Sequence, residues 1–295
     1  MPAMLRQGGS ATFLRNSEAR NPDTGALDLA NAPRYIRAST GLGLLVEEGT
    51  PNLVPNPSFE SGIWTEAWSG ASGTATEVHG WNGGKAMRLT ITAGGTTFGR
   101  VSSRTMNLSA GTQYTLSFRA RANRAGVAAN YLYVMDADEG NIVLPSISNL
   151  TTEWQRYSAS FTLATARTGA GLMLALSSAV TNAAGDWIEF DDVQIEAKAY
   201  ATSFVEGTRA AEYLKIPNWS DYFPKGGPFT IGWRGKTHTY GVHRVVFAAW
   251  PMFYVDLNGS HKVQFSWMDG TQLVAYGTAI VDATQPHTWE FTYDG

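Results

Sequence analysis

Cysteine is absent from this 295-residue sequence, so no disulfide can stabilise its fold. Charged residues make up only 16% of the chain, and the formal net charge is -3. Binding to nucleic-acid phosphates requires a basic face, so we expect no nucleic-acid partner. No apolar run approaches the roughly 18 residues of a membrane-spanning helix, and the N-terminus lacks the apolar core of a secretory signal. We therefore expect neither membrane insertion nor export through a signal peptide.

Common catalytic motifs are also missing from the sequence. It contains no G-x-S-x-G elbow, no phosphate-binding loop and no H-E-x-x-H motif. His238 and His243 lack a nearby cysteine or acidic partner and make a poor zinc site. The acidic residues Asp136, Asp138 and Glu139 are typical of a polar hairpin turn, and a calcium loop there would lack its distal glutamate. We predict a protein that is not an enzyme.

The composition instead favours short strands and tight turns. The chain contains 31 glycines and 12% aromatic residues, with 43% hydrophobic residues to fill a core. In the segment 114–121, Tyr114, Leu116 and Phe118 alternate with polar residues, as in a strand with one buried face. We predict an all-β protein. Its parts are an irregular N-terminal segment (1–50), a jelly-roll β-sandwich (51–198), a connector (199–213) and a second β-sandwich (214–295).

The second sandwich is predicted from six strand-like segments. They are residues 228–233, 245–250, 253–257, 262–267, 272–276 and 287–295, with hairpin signals at Asn258-Gly259 and Asp269-Gly270. Their order resembles a laminin-G/concanavalin-like domain. In that family several more strands follow the segment that matches Trp289–Gly295. We therefore expect the second sandwich to be incomplete here, and to be completed by further sequence or by another chain.

Two motifs lie at opposite ends of the middle region. Asn52–Glu60 reads NLVPNPSFE, and Trp187–Ile195 reads WIEFDDVQI. Together they resemble the jelly-roll carbohydrate-binding modules of families 4, 9 and 22, which are attached to xylanases and cellulases. The resemblance implies that the first and last strands run side by side and that Glu60 and Asp191 bind a structural Ca²⁺, with Asp192 as a further candidate ligand. The alternative is that these carboxylates cap backbone amides without a metal.

Sugar binding needs flat aromatic faces and polar groups for hydroxyls. The candidates are three aromatic residues in turn-rich stretches, two tyrosines on one strand face and two arginines that could donate hydrogen bonds: Trp64, Trp81, Phe98, Tyr131, Tyr133, Arg119 and Arg121. The tyrosines face outward if Leu132 and Val134 face the core. Alternatively, they are buried in the sandwich or in a subunit interface. By the same resemblance, Trp68 and Trp154 are expected to be structural.

The segments on both sides of the sandwich resemble parts of phage tail proteins. The N-terminal match includes ATFLR at residues 11–15, and the connector match runs from ATSF at residues 201–204 to TRAAE at residues 208–212. We predict an adhesive virion protein of a phage tail or fibre that binds host-surface polysaccharide and contacts other virion proteins, with a homotrimer as the expected assembly. The alternatives are a purely structural spacer and an accessory binding region of a larger glycoside-degrading protein.

Overall fold

The structure is a computed structural model that describes residues 12–38, 41–67, 72–94, 97–129, 131–135, 141–177 and 182–215. Beyond these it describes the backbone of six strands between residues 229 and 293. The chain divides into two compact units, one formed mainly by Phe13–Leu214 and the other mainly by Lys215–Gly295. All regular elements among the described residues are strands, which confirms the all-β prediction. No helix in these ranges is long and apolar enough to cross a membrane.

The first unit begins and ends with short strands that flank the sandwich. The leading strands are β1 (Thr12–Leu14), β2 (Ala19–Arg20), β3 (Leu27–Asp28), β4 (Arg34–Ala38), β5 (Gly41–Leu45) and β6 (Thr50–Pro51). The sandwich strands are β7 (Glu66–Ala67), β8 (Gly73–His79), β9 (Lys85–Ile91), β10 (Thr97–Val101), β11 (Met106–Leu108), β12 (Gln113–Ala122), β13 (Tyr131–Met135), β14 (Asn141–Val143), β15 (Gln155–Thr162), β16 (Arg167–Ser177) and β17 (Trp187–Glu196). The trailing strands are β18 (Thr208–Arg209) and β19 (Tyr213–Lys215).

Two antiparallel sheets form the sandwich. The five-stranded sheet has the order β15-β12-β17-β9-β8, and the six-stranded sheet has the order β14-β13-β16-β10-β7 with β11 paired to β16. The inward side chains of both sheets make one apolar core that includes Phe118, Phe190 and Leu174. The predicted alternation in β12 is confirmed, because Tyr114, Leu116 and Phe118 all belong to this core.

The opening motif lies along the closing strand β17, as the resemblance implied. The amide of Leu53 donates to the carbonyl of Ile195 (2.9 Å), and the amide of Val193 donates to the carbonyl of Pro57 (2.9 Å). Phe59 and Phe190 are both fully buried in the common core. The motif is nevertheless a series of turns between β6 and β7 and not the regular strand that we predicted, because its prolines cannot donate backbone hydrogen bonds.

The flanking segments cover part of the outer face of the five-stranded sheet. The hydroxyl of Thr115 donates to the carbonyl of Lys198 (2.8 Å), and the Arg156 guanidinium donates to the carbonyl of Thr202. From the N-terminal side, the carbonyl of Pro22 accepts a hydrogen bond from Arg119. Polar side chains on this half of the sheet are therefore buried although they point away from the core.

A cluster of buried charges joins the N-terminal segment to the connector. Arg34 contacts Glu212 at 2.5 Å and Glu47 at 2.7 Å, Arg15 contacts Glu212 at 3.0 Å, and Arg209 contacts Glu47 at 3.2 Å. The side chains of the three arginines and of Glu212 have no solvent exposure. Burial alone would raise the pKa of Glu47, but Arg209 and Arg34 hold this pKa below its ordinary value. We call these five residues the buried charge cluster.

The second unit contains the six strands predicted for it. They are β20 (Phe229–Gly235), β21 (Arg244–Ala249), β22 (Phe253–Leu257), β23 (Lys262–Asp269), β24 (Thr271–Ala279) and β25 (His287–Tyr293). Strand β20 pairs with β25, and β21 to β24 form an antiparallel meander. The resemblance to a laminin-G/concanavalin-like domain stays a prediction.

Candidate functional sites

The predicted metal ligands Glu60 and Asp191 both contact the turn between β8 and β9. This turn is closed by a hydrogen bond from the amide of Gly80 to the carbonyl of Gly84 (2.8 Å). Asp191 Oδ2 accepts from the amide of Trp81 (3.1 Å), and Glu60 Oε1 accepts from the amide of Lys85 (3.0 Å). A Cβ atom on Gly80 would lie 2.4 Å from Asp191 Oδ2, so only glycine permits this approach of the carboxylate.

The charge of Asp191 is poorly compensated. Burial, together with the negative charge of the neighbouring Asp192, raises the pKa of Asp191 to about 8. Its oxygens accept hydrogen bonds from the backbone amides of Trp81 and Asp192, and no arginine or lysine in the described residues forms an ion pair with it. A cation at this carboxylate would favour its ionised form.

Asp192 has a different environment, and metal binding by its carboxylate stays a prediction. Its Oδ2 atom accepts from the indole Nε1 of Trp81 (2.6 Å) and lies 3.8 Å from Arg119 Nε, while its Oδ1 atom lies 3.6 Å from Arg20 Nε. Burial raises its pKa, although Arg20 and the Trp81 indole oppose the shift. Asp192 adopts a left-handed backbone conformation with φ 49°.

The described residues hold no group of three or more His, Cys, Asp or Glu side chains that could bind a metal. A calcium site of three carboxylates is therefore not formed in this part of the chain. Glu60 and Asp191 remain as two carboxylate ligands beside one turn. Such an arrangement suits a hard cation that is also coordinated by carbonyl oxygens. Both carboxylates also accept backbone amides, as the metal-free alternative expects, so calcium binding stays a prediction.

Two of the predicted sugar-binding aromatics lie in the core. Trp64 is 4% exposed, packs against Phe59 with ring centroids 5.2 Å apart, and donates from Nε1 to the carbonyl of Asn56 (3.2 Å). Phe98 is 3% exposed and pairs with Leu176. Their prediction as ligand-facing residues is wrong, because Phe98 faces the core from strand β10, and the turn that carries Trp64 folds its ring inward and satisfies its indole N–H.

Trp81 and Arg119 are used to hold the N-terminal segment on the sheet. The Arg119 guanidinium lies 3.5 Å from the centroid of the Trp81 ring and donates to the carbonyl of Pro22. With Asp192 and Phe204 they line a cavity of about 10 Å³, which holds roughly one water molecule. A sugar ring does not fit there, so this pair does not form the glycan surface that we predicted.

The tyrosines and arginines lie on different sheets. Leu132 and Val134 are buried in the core, so strand alternation places positions 131 and 133 on the outer face of the six-stranded sheet. Tyr133 is half-buried there, against Val101 and Met173. The side chain of Tyr131 lies outside the described residues, as do Trp68 and the acidic segment 136–140. Arg119 and Arg121 belong to β12 of the opposite sheet, so their prediction as partners of the tyrosines is wrong.

A further polar and aromatic row on the five-stranded sheet was not predicted. Both oxygens of the buried Glu189 accept from arginines, Oε1 from Arg88 Nη2 (2.5 Å) and Oε2 from Arg121 Nε (2.5 Å). Arg121 lies 5.0 Å from the ring centroid of Trp154, and Arg88 lies 4.4 Å from that of Trp187. We call these five residues the arginine–tryptophan row. Trp187 and Glu189 are two positions apart in β17 and therefore share one face of the strand. This spacing was the signal in the sequence that could have indicated the row.

Comparison with known proteins supports the assignment of the sandwich. Residues 51–181 match the family model described as a carbohydrate binding domain, of families 4 and 9. This part of the chain is thus a β-sandwich module of the carbohydrate-binding type. No curated protein matches the chain.

Several solved structures are similar to about half of the chain. An arabinose-bound GH51 α-L-arabinofuranosidase is 14% identical, with a TM-score of 0.40, and the match covers 50% of this chain and 26% of that one. A family 4 carbohydrate-binding module is 18% identical, with a TM-score of 0.38, covering 48% of this chain and 100% of that one. The CBM22-1 xylan-binding domain from Paenibacillus barcinonensis is 15% identical, with a TM-score of 0.38, covering 52% and 99%. The chain thus spans about a quarter of the arabinofuranosidase and the whole of the isolated module.

Proposed function

We propose that this protein is a non-enzymatic glycan-binding protein and that the outer face of the six-stranded sheet around Tyr133 binds the sugar. The observation that carries the proposal is the burial of Leu132 and Val134, which leaves the tyrosine positions of β13 on the opposite face. The family match over residues 51–181 supports the general class.

The register of this sheet places a row of buried apolar residues, Val101, Met173 and Ala175, beside the tyrosine positions. Tyr131 pairs with Ala175, and Ala175 pairs with Gly99, so two small residues follow the tyrosine position across neighbouring strands. In the next row, Tyr133 pairs with Met173 and Met173 pairs with Val101. Tyr133 is the half-buried aromatic of this row, and an aromatic ring can support the apolar face of a pyranose.

Affinity gel electrophoresis with xylan and hydroxyethylcellulose tests this surface. Tyr133→Ala should reduce binding of the retarding polymer by about tenfold, the effect of losing one aromatic stacking contact. Trp154→Ala, which removes a half-buried aromatic on the other sheet, should leave that binding unchanged. Equal binding by Tyr133→Ala and the wild type would contradict the proposal, and release of reducing sugar from either polymer would contradict the absence of an enzymatic activity.

The proposed metal is a structural Ca²⁺ at Glu60 and Asp191. Its support is the raised pKa of the buried Asp191 and the contact of both carboxylates with one turn. The ion would neutralise buried charge and tie the opening motif to the β8–β9 turn and to β17. It has no part in any reaction.

The proposed setting is the exterior of a phage tail or fibre, where the protein would contact other virion proteins and a host-surface polysaccharide. The resemblance of residues 11–15 and 201–212 to tail proteins supports this, and the buried charge cluster supports a joint role for the two segments. Several copies would strengthen weak sugar binding through effective concentration. Mass spectrometry of purified phage particles tests the setting, and absence of the protein from the particles would refute it. Light scattering of the isolated protein tests the assembly, and a monomer would refute the expected trimer.

A further inference from the structure

The flanking segments leave one half of the outer face of the five-stranded sheet open. The half that includes Thr115 lies under the connector, whereas the other half begins at Arg121. The side chains of Arg121 and Arg88 are 33% and 34% exposed. Thr76 and Asn123, at the margins of this open half, are exposed. The arginine–tryptophan row therefore lies on a part of this face where its two arginines reach solvent.

The row is built by strand register and not by flexible loops. Arg121 pairs with Glu189, Glu189 pairs with Arg88, and Arg88 pairs with Thr76, which brings four strands into line. Trp154 lies beside Arg121 at the end of this line. Since neighbouring strands are about 4.8 Å apart, the distance from Trp154 to Arg88 is roughly 14 Å. This length exceeds one sugar ring and suits an oligosaccharide.

The charge of the row favours an acidic ligand. Two guanidinium groups face one carboxylate, and both Glu189 oxygens are already occupied by them. Glu189 thereby orients the arginines, while their other N–H groups have no protein partner among the described residues. These N–H groups can donate a planar pair of hydrogen bonds to a second carboxylate. Trp154 and Trp187 each carry one of these guanidiniums over one face of the indole, which leaves the other face for a pyranose ring.

We propose that the arginine–tryptophan row binds a polysaccharide that contains uronic acids. The uronate carboxylate accepts hydrogen bonds from Arg88 or Arg121, and adjacent rings stack on Trp154 and Trp187. This surface lies on the opposite sheet from Tyr133, so its ligand is separate from the one proposed for the tyrosine face.

Isothermal titration with polygalacturonate oligomers tests the proposal. Arg121→Gln should weaken binding by about tenfold to hundredfold, the range for one charge-assisted hydrogen bond. Arg104→Gln is the matched control, because Arg104 is 30% exposed but pairs with Glu66 elsewhere on the sandwich. Arg104→Gln and Tyr133→Ala should both bind as the wild type does. Unchanged binding by Arg121→Gln would overturn the proposal.

A second measurement needs no variant and therefore does not depend on a variant's folding. The wild-type protein should bind the carboxyl-reduced, neutral form of the same oligomer at least about tenfold more weakly, since the charge-assisted bonds are lost. Equal affinity for the acidic and neutral forms, or no binding of the acidic form, would overturn the proposal. Loss of xylan binding in Tyr133→Ala with retained polygalacturonate binding would show that the two surfaces act separately.

Discussion

Replacing Glu212 with glutamine should strongly destabilise the first unit. Glu212 Oε1 accepts from Arg15 and Arg34, and its Oε2 atom accepts from the amide of Glu47 (2.7 Å). Glutamine keeps the shape but removes the negative charge, and its single oxygen cannot serve both sets of donors. Removing one partner of a fully buried ion pair costs about 3–5 kcal/mol. With about 2–4 °C per kcal/mol for a unit of this size, the melting temperature should fall by roughly 6–20 °C.

Urea unfolding followed by tryptophan fluorescence and by circular dichroism measures this change. Glu66→Gln is the control, because Glu66 forms a single ion pair with Arg104 (2.6 Å) and its side chain is 43% exposed. Such an exposed pair contributes about 0–1 kcal/mol. A loss below about 1 kcal/mol for Glu212→Gln would refute the reasoning, since it would mean that solvent or a rearrangement compensates the two arginines.

Four further predictions concern the turn between β8 and β9. Without calcium, the free energy of unfolding should fall as pH rises from 3.8 to about 8, because the folded state favours protonated Asp191; Asp191→Asn should flatten this dependence. Calcium should raise the melting temperature of the wild type but not of Asp191→Asn in differential scanning fluorimetry, and equal shifts would contradict the site. Gly80→Ala should cost about 1–3 kcal/mol through overpacking against the carboxylate, whereas Gly94→Ala, which meets no atom within 4 Å, should cost little in the same urea assay. Trp81→Phe removes the donor of Asp192 and should cost about 1–3 kcal/mol in that assay, and an unchanged stability would mean that this hydrogen bond is not needed.

The strands could be predicted because their signals are local. Tyr114, Leu116 and Phe118 alternate within five positions, and that period alone defines the buried face of β12. The neighbourhood of Phe59 and Phe190 was accessible only through the paired end motifs. The prediction that Trp64 faces a ligand was based on the turn-forming residues around it. Such residues predict a turn, but they do not show whether the turn directs an aromatic ring outward or inward.

Contacts between distant segments could not be predicted from local pattern. The residues of the buried charge cluster lie up to 197 positions apart, as Arg15 and Glu212 do. Each appears in the sequence as an ordinary surface charge. Likewise, Arg119 was predicted to bind a sugar ligand, but its guanidinium donates a hydrogen bond to the carbonyl of Pro22 in the N-terminal segment. Whether a distant segment covers a residue depends on the folded topology. The local periodicity of the sequence contains no signal for such coverage.

The three arginines that link the ends of the first unit also limit how the protein can be divided. A fragment starting at residue 51 would keep Arg209 but lose both Arg34 and the Glu47 carboxylate that faces it. It would also uncover polar groups of the sheet that the leading segment shields. A fragment that starts at residue 51 would therefore be a less stable protein with a new, artificial surface, and any ligand found for it would need checking on the longer chain.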